Sequence, residues 1–214
     1  DHRTISFTGE KIIAANTSIV GGGKITLHGE SATRLFTVNS GVTLTLAGVT
    51  LAGGAAQDGG AILNRGTVNV SNSTFTMNAA IGYGGVIYNV GGKVALTNVE
   101  SDTNTAQAGG VVANWGSKLV ATGGWNQANT TTGWGGSFYG YGAVLEVTRV
   151  KFTNNAAFNG GAIATLTGSA IISESSFAAN SSNNQGGAVM TSAGTLNVSR
   201  STFFANSSIA GGAI

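Results

Sequence analysis

The stretch Phe152-Thr153-Asn154-Asn155-Ala156-Ala157-Phe158-Asn159-Gly160-Gly161-Ala162-Ile163 decides how this chain folds, because its two ends recur. Glycine pairs followed by small or aliphatic residues stand at Gly59-Gly60, Gly84-Gly85, Gly109-Gly110, Gly135-Gly136, Gly160-Gly161, Gly186-Gly187 and Gly211-Gly212, with successive spacings of 25, 25, 26, 25, 26 and 25 residues. A second marker, Asn78, Asn104, Asn129, Asn155, Asn180 and Asn206, is spaced 26, 25, 26, 25 and 26. Two markers that share one period identify a repeat architecture.

Between the markers, apolar residues alternate with polar ones. Ten residues before each marker Asn stand Val68, Val94, Leu119, Leu145, Ala170 and Leu196; eight before stand Val70, Leu96, Ala121, Val147, Ile172 and Val198. Three before come Phe75, Ser101, Asn126, Phe152, Phe177 and Phe203. A period of two over Val-, Thr- and Ser-rich segments describes strands with one buried face. A unit of 25–26 residues built from short strands predicts an all-β fold, a parallel β-helix whose coils stack at about 4.8 Å.

The glycine pairs then mark corners where neighbouring backbones approach closely. The marker Asn residues form a ladder of stacked amides. Asn64, Asn89 and Asn114 begin a second column, which passes to Gly140, Thr165 and Thr191. Residues 1–50 lack the anchors and are expected to be an N-terminal cap with the first strands. Residues 51–214 are expected to form the repeat coils of one β-helix, with Ile214 inside an unfinished coil that either continues into further sequence or docks end to end with a neighbour.

Composition narrows the function. Glycine supplies 35 of 214 residues, Cys and Pro none, and charged residues 8% against about 25% in ordinary domains. The net charge of +2 comes from few, scattered charges, so nucleic acid is a poor partner. No apolar run is long enough for a membrane helix. No cofactor or metal is expected, since His2 and His28 stand apart and no cysteine is present.

Catalysis would need converging acids. Glu100 and Asp102 share one outward strand face and Lys151 lies two coils away in the Glu100 column. Arg149, Glu174 and Arg200 follow one another on successive coils. Both groups read as solvated surface charge, so no catalytic residue is assigned. Aromatic residues carry the stronger signal. Trp115 and Tyr141 share a corner column, Tyr83 and Trp134 precede glycine pairs two coils apart, and Trp125 is near them in sequence. Tyr88 and Tyr139 belong to an outward column with Leu63, Ala113, Ala164 and Met190. Flanked by Ala61, Val86, Val111, Ser137, Ala162 and Ala188, this column predicts a broad apolar face that takes a partner.

The pairing of Gly-Gly-Ala-aliphatic with Phe-x-x-Asn resembles the polymorphic outer-membrane protein repeats of chlamydial surface autotransporters. The match is closest at Phe75–Asn78, Phe152–Asn155, Phe177–Asn180 and Phe203–Asn206. Coils carrying Val86, Val111, Ser137, Ser101 and Asn126 depart from it, and Trp125 is a candidate to replace the missing rings. The resemblance implies a right-handed parallel β-helix, secreted and exposed on a bacterial surface as a fibre component or adhesin segment. Its expected partner is another copy, a cell-surface protein or a glycan. The competing reading is a polysaccharide-binding or polysaccharide-cleaving module.

Overall fold

The computed structural model describes all 214 residues and is all-β, with 27 short strands and no helix. The strands form three parallel sheets of thirteen, six and eight strands, and the eight strands of the third mark eight passes of the chain. One coil shows the route. Lys118–Gln127 lies in the first sheet, Thr130–Trp134 in the second and Phe138–Tyr141 in the third. Val144–Thr148 then returns to the first sheet one storey up, pairing in parallel with the strand it followed.

Register follows the sequence period. Phe152 pairs with Phe177, and Phe177 with Phe203; Phe138 pairs with Val112 and Ile163. The inward residues fuse into one cluster of 35 buried apolar side chains running the length of the solenoid. Each large aliphatic or aromatic residue so buried contributes about 1.5–3 kcal/mol. Phe152, Phe177 and Phe203 stack face to face at 4.8 Å, the spacing of the coils themselves.

Ser101 and Asn126 interrupt this stack while remaining buried, and Asn126 Oδ1 has no hydrogen-bond partner. Trp125 does not replace the missing ring. It pairs with Glu100 and Lys151, so strand alternation aims it outward. The nearby ring is Phe138, in the inward column of the third sheet, which meets Phe152 edge-on at 5.4 Å.

Both amide columns form. Asn78, Asn104, Asn129, Asn155, Asn180 and Asn206 are linked Nδ2 to Oδ1 at 2.9–3.1 Å. From Asn104 on, each oxygen also accepts the backbone N–H of the Asn one coil below, as Asn155 Oδ1 does from Asn129 at 3.0 Å, and Asn78 Oδ1 accepts that of Gly54. Each Nδ2 also donates to a carbonyl 27–29 residues back, one coil below, as Asn155 does to Asn126 at 2.9 Å. In the second column Asn64 donates to Asn89 and Asn89 to Asn114, at 2.6 and 2.5 Å, and Thr165 donates to Thr191 at 3.1 Å.

The glycine pairs are required by two separate constraints. The first glycine of each repeat pair has a left-handed φ, 61° at Gly59 and 68° at Gly211. The second has no room: a Cβ on Gly60, Gly85, Gly110, Gly136 or Gly161 would collide with the carbonyl oxygen of the matching glycine one coil on. Further left-handed corners fall on ordinary residues. Met77, Thr103, Ala128, Asn154, Ala179 and Ala205 precede the ladder Asn residues, and Arg149, Glu174 and Arg200 turn the first sheet.

Within residues 1–50, Arg3–Ser6 pairs with Ile25–His28, and Lys11–Ile13 with Phe36–Val38, so strands of this part stack in parallel on the coils that follow. One expectation changes. Ala61, Val86, Val111, Ser137, Ala162 and Ala188 do not widen the outer face. All are fully buried, because the corner turns them inward together with the next residue. Ser137 uses that position to donate to Asn155 Oδ1 at 2.9 Å.

Candidate binding face

The third sheet begins just after the glycine pairs, so its strands start from fixed points and its outward side chains fall into straight columns. One column runs Leu63, Tyr88, Ala113, Tyr139, Ala164 and Met190. Beside it, at the far corner, run Val90, Trp115, Tyr141 and Leu166. On the other side, before the glycine pairs, Tyr83 bridges to Ala108, and Ala108 pairs with Trp134.

These columns gather all six aromatic residues expected to form a surface. Trp115 sits at the centre, 4.8 Å from Tyr83, 5.1 Å from Tyr141, 6.1 Å from Tyr88 and 6.5 Å from Tyr139 between ring centroids. Tyr139 lies roughly parallel to both Tyr83 and Trp134, at 6.4 and 6.3 Å. Edge-to-face and offset pairs of this kind add about 0.5–1.5 kcal/mol each beyond area burial. Trp125 stands apart, on the first sheet.

The rings lie over small residues. Ala108, Ala113, Tyr139 and Ala164 form a second buried cluster, separate from the main core, with Tyr83, Tyr88 and Leu166 packed against it. Trp134 and Tyr141 remain 36% and 41% exposed and form its crest. The face is thus a rigid aromatic mound on a sheet, not a soft apolar patch. Sequence reading missed Val90 and Leu166, although their 25-residue offsets from Trp115 and Tyr141 place them in that column.

Electrostatics keep the mound neutral. Burial pushes the Tyr139 hydroxyl up to about 12, helped by the other tyrosines. Tyr88 is also raised, first by burial and then by the carboxylate of Asp58. Asp58 marks the edge of the face, where its Oδ1 accepts the Tyr83 backbone N–H at 2.8 Å.

Some of the charges elsewhere pair locally, as Arg34 does with Glu10 and Lys118 with Glu146. Glu174 lies between Arg149 at 3.6 Å and Arg200 at 3.0 Å, all three well exposed. Glu100 and Asp102 stand on one strand, with Trp125 between Glu100 and Lys151 in the column. Near the N-terminus, Ser6 Oγ donates to Glu30 at 2.5 Å and His28 Nδ1 lies 3.2 Å from the same carboxylate. The serine bond, with smaller help from His28, holds the Glu30 carboxyl below its ordinary value. This trio lacks the order of a nucleophilic triad, because the serine proton points to the carboxylate and not to the imidazole.

No family model, curated protein or solved structure matches this chain.

Proposed function

We propose that this chain is a non-catalytic segment of a secreted bacterial cell-surface protein, a stiff rod that makes adhesive or fibre contacts through the aromatic face of its third sheet. The observation that carries this reading is the mound itself: six aromatic residues in adjoining columns, with Trp134 and Tyr141 at its crest. Rigid aromatic groups bind at little conformational cost, and they are enriched where interfaces hold most of their energy. The amide ladders and continuous core supply the stiffness. The repeat pattern that resembles outer-membrane protein repeats supports the surface location and export.

The test uses the whole chain, labelled and applied to immobilised bacterial envelopes and to cultured epithelial cells. The Trp134→Ala, Tyr141→Ala double variant is expected to keep the β-sheet circular dichroism of the parent and to lose binding by about tenfold or more. Saturable binding that is equal for both proteins would overturn the proposal.

A further inference from the structure

A ladder Asn and the glycine pair that follows it bracket each strand of the second sheet, and their separation alternates. It is six residues at Asn78–Gly84, Asn129–Gly135 and Asn180–Gly186, but five at Asn104–Gly109, Asn155–Gly160 and Asn206–Gly211. From Gly84, Gly109, Gly135, Gly160 and Gly186 to the next ladder Asn the count is constant at twenty. Coils of 25 and 26 residues therefore differ in the second sheet alone. There the extra residue forms a β-bulge on every second coil. Register breaks between Ala106 and Ala108 opposite Thr131 and Trp134, and again between Ala157 and Asn159 opposite Ser182 and Gln185. In the first long coil the carbonyl oxygen of Gly82 accepts from the N–H of both Gln107 and Ala108, at 2.8 and 3.3 Å.

One added residue reverses the side on which an alternating strand ends. On the short coils Gln107 is exposed and Ala108 buried, and Phe158 is exposed and Asn159 buried. On the long coils the added step brings the residue before the glycine pair to the surface, so that Trp134 and Gln185 are exposed and Tyr83 is half-buried. All these residues belong to one paired column, in which Tyr83, Trp134 and Gln185 alternate with the smaller Ala108, Asn159 and Ala210. Side-chain size in this column thus follows coil length.

We infer that Gly82 and Gly133 are positioning residues of the aromatic face: the bulges they close turn Tyr83 and Trp134 outward, each roughly parallel to Tyr139. The inference rests on the reading of the mound as a contact surface and says how its rings before the glycine pairs are aimed. Both glycines close tightly on the coil below. A Cβ on Gly133 would come within 2.8 Å of the Gln107 carbonyl oxygen, and one on Gly82 would meet Asp58 Oδ1. That oxygen is already engaged with the Tyr83 N–H at 2.8 Å, which fixes the backbone that carries the ring. The third long coil has Asn184 in this place, its amide donating to Asn159 Oδ1 at 2.9 Å, and it carries Gln185 instead of a ring.

The test deletes Gly133 in a Trp115→Phe, Trp125→Phe background, where Trp134 is the sole tryptophan. The deletion converts this coil to the short kind that already stands above and below it. Far-UV circular dichroism and cooperative melting are expected to persist, while Trp134 emission shifts to shorter wavelength and loses its quenching by acrylamide. Near-UV circular dichroism should lose the signal of the Trp134–Tyr139 pair. A second variant combines the deletion with Trp134→Ala, which recreates the pattern of Gln107-Ala108-Gly109-Gly110, and should melt close to Trp134→Ala alone. Folding of this variant but not of the simple deletion upholds the inference, because the short coil is then accepted and only a ring without its bulge is refused. Trp134 as accessible in the deletion as in its parent, or failure of the alanine variant to fold, overturns it. Cell binding by the chain with Trp115 and Trp125 intact separates this inference from the contact reading. The deletion should weaken that binding by about tenfold, as the Trp134→Ala, Tyr141→Ala variant does. If Trp134 turns as expected while neither change affects binding, the positioning stands and the contact reading falls.

Discussion

At the level of single residues, Asn155 concentrates the logic of the fold. Its Oδ1 accepts from the backbone and side chain of Asn129 and from Ser137, and its Nδ2 donates to Asn126 and Asn180. Asn155→Ala should destabilise the protein by about 3 kcal/mol, since several buried donors and acceptors lose their partner at once. Urea unfolding checks this, and Asn206→Ala, in the less buried last rung, should cost less. Asn126 predicts the opposite sign. Its unpaired buried oxygen makes Asn126→Leu stabilising by about 1 kcal/mol, measured in the same way. The ladder was legible in the sequence because Asn recurs with the period. The orphan at Asn126 showed as a departure from the Phe column, but the position of the Phe138 ring beside that stack depends on packing that no offset records.

Strands and corners set the next scale. The strands were readable from alternation, and the glycine corners from their spacing. The remaining corners were not, because left-handed backbone falls there on Thr103, Ala128, Arg149 and Glu174, residue types that carry no turn signal. Stacking of one coil on the next enforces those conformations at a cost of about 1–2 kcal/mol each, against local preference. The apolar outer face was overdrawn for a related reason: alternation fails across a corner, so Ala162 and Ile163 both point inward. The two kinds of glycine also separate here. Gly136→Ala, which drives a methyl group into the Gly161 carbonyl, should prevent folding or cost more than about 3 kcal/mol. Gly91→Ala, with open space around its Cβ, should cost only the left-handed strain of about 1–2 kcal/mol. Thermal melts of the two variants test the distinction.

Across the whole molecule, each coil touches only its neighbours, so stability is close to a sum of similar interfaces. Deleting one complete period, residues 156–180, joins Asn155 to Ser181, which occupies the place of Ala156. The shortened chain is expected to remain folded, with unchanged circular dichroism per residue and a lower melting temperature. Deleting residues 156–179 instead shifts every later column by one and should abolish cooperative unfolding. Cooperative melting of both deletions would show that register is not what holds the coils. The aromatic mound was only half visible at this scale. Its members were named from their columns, but their convergence on Trp115 depends on Ala113 and Ala164 leaving space for the rings.

The amide ladder also bears on how the protein ages. Asparagine hydrolyses slowly to aspartate, and in an exposed loop the change adds a harmless charge. At Asn129 or Asn155 it would set a carboxylate against carbonyl oxygens that previously accepted its protons, inside a column closed to water. The stacked state therefore opposes the product of its own chemical decay. Damage of this kind should accumulate first where the rungs are least enclosed, leaving the central storeys intact longest.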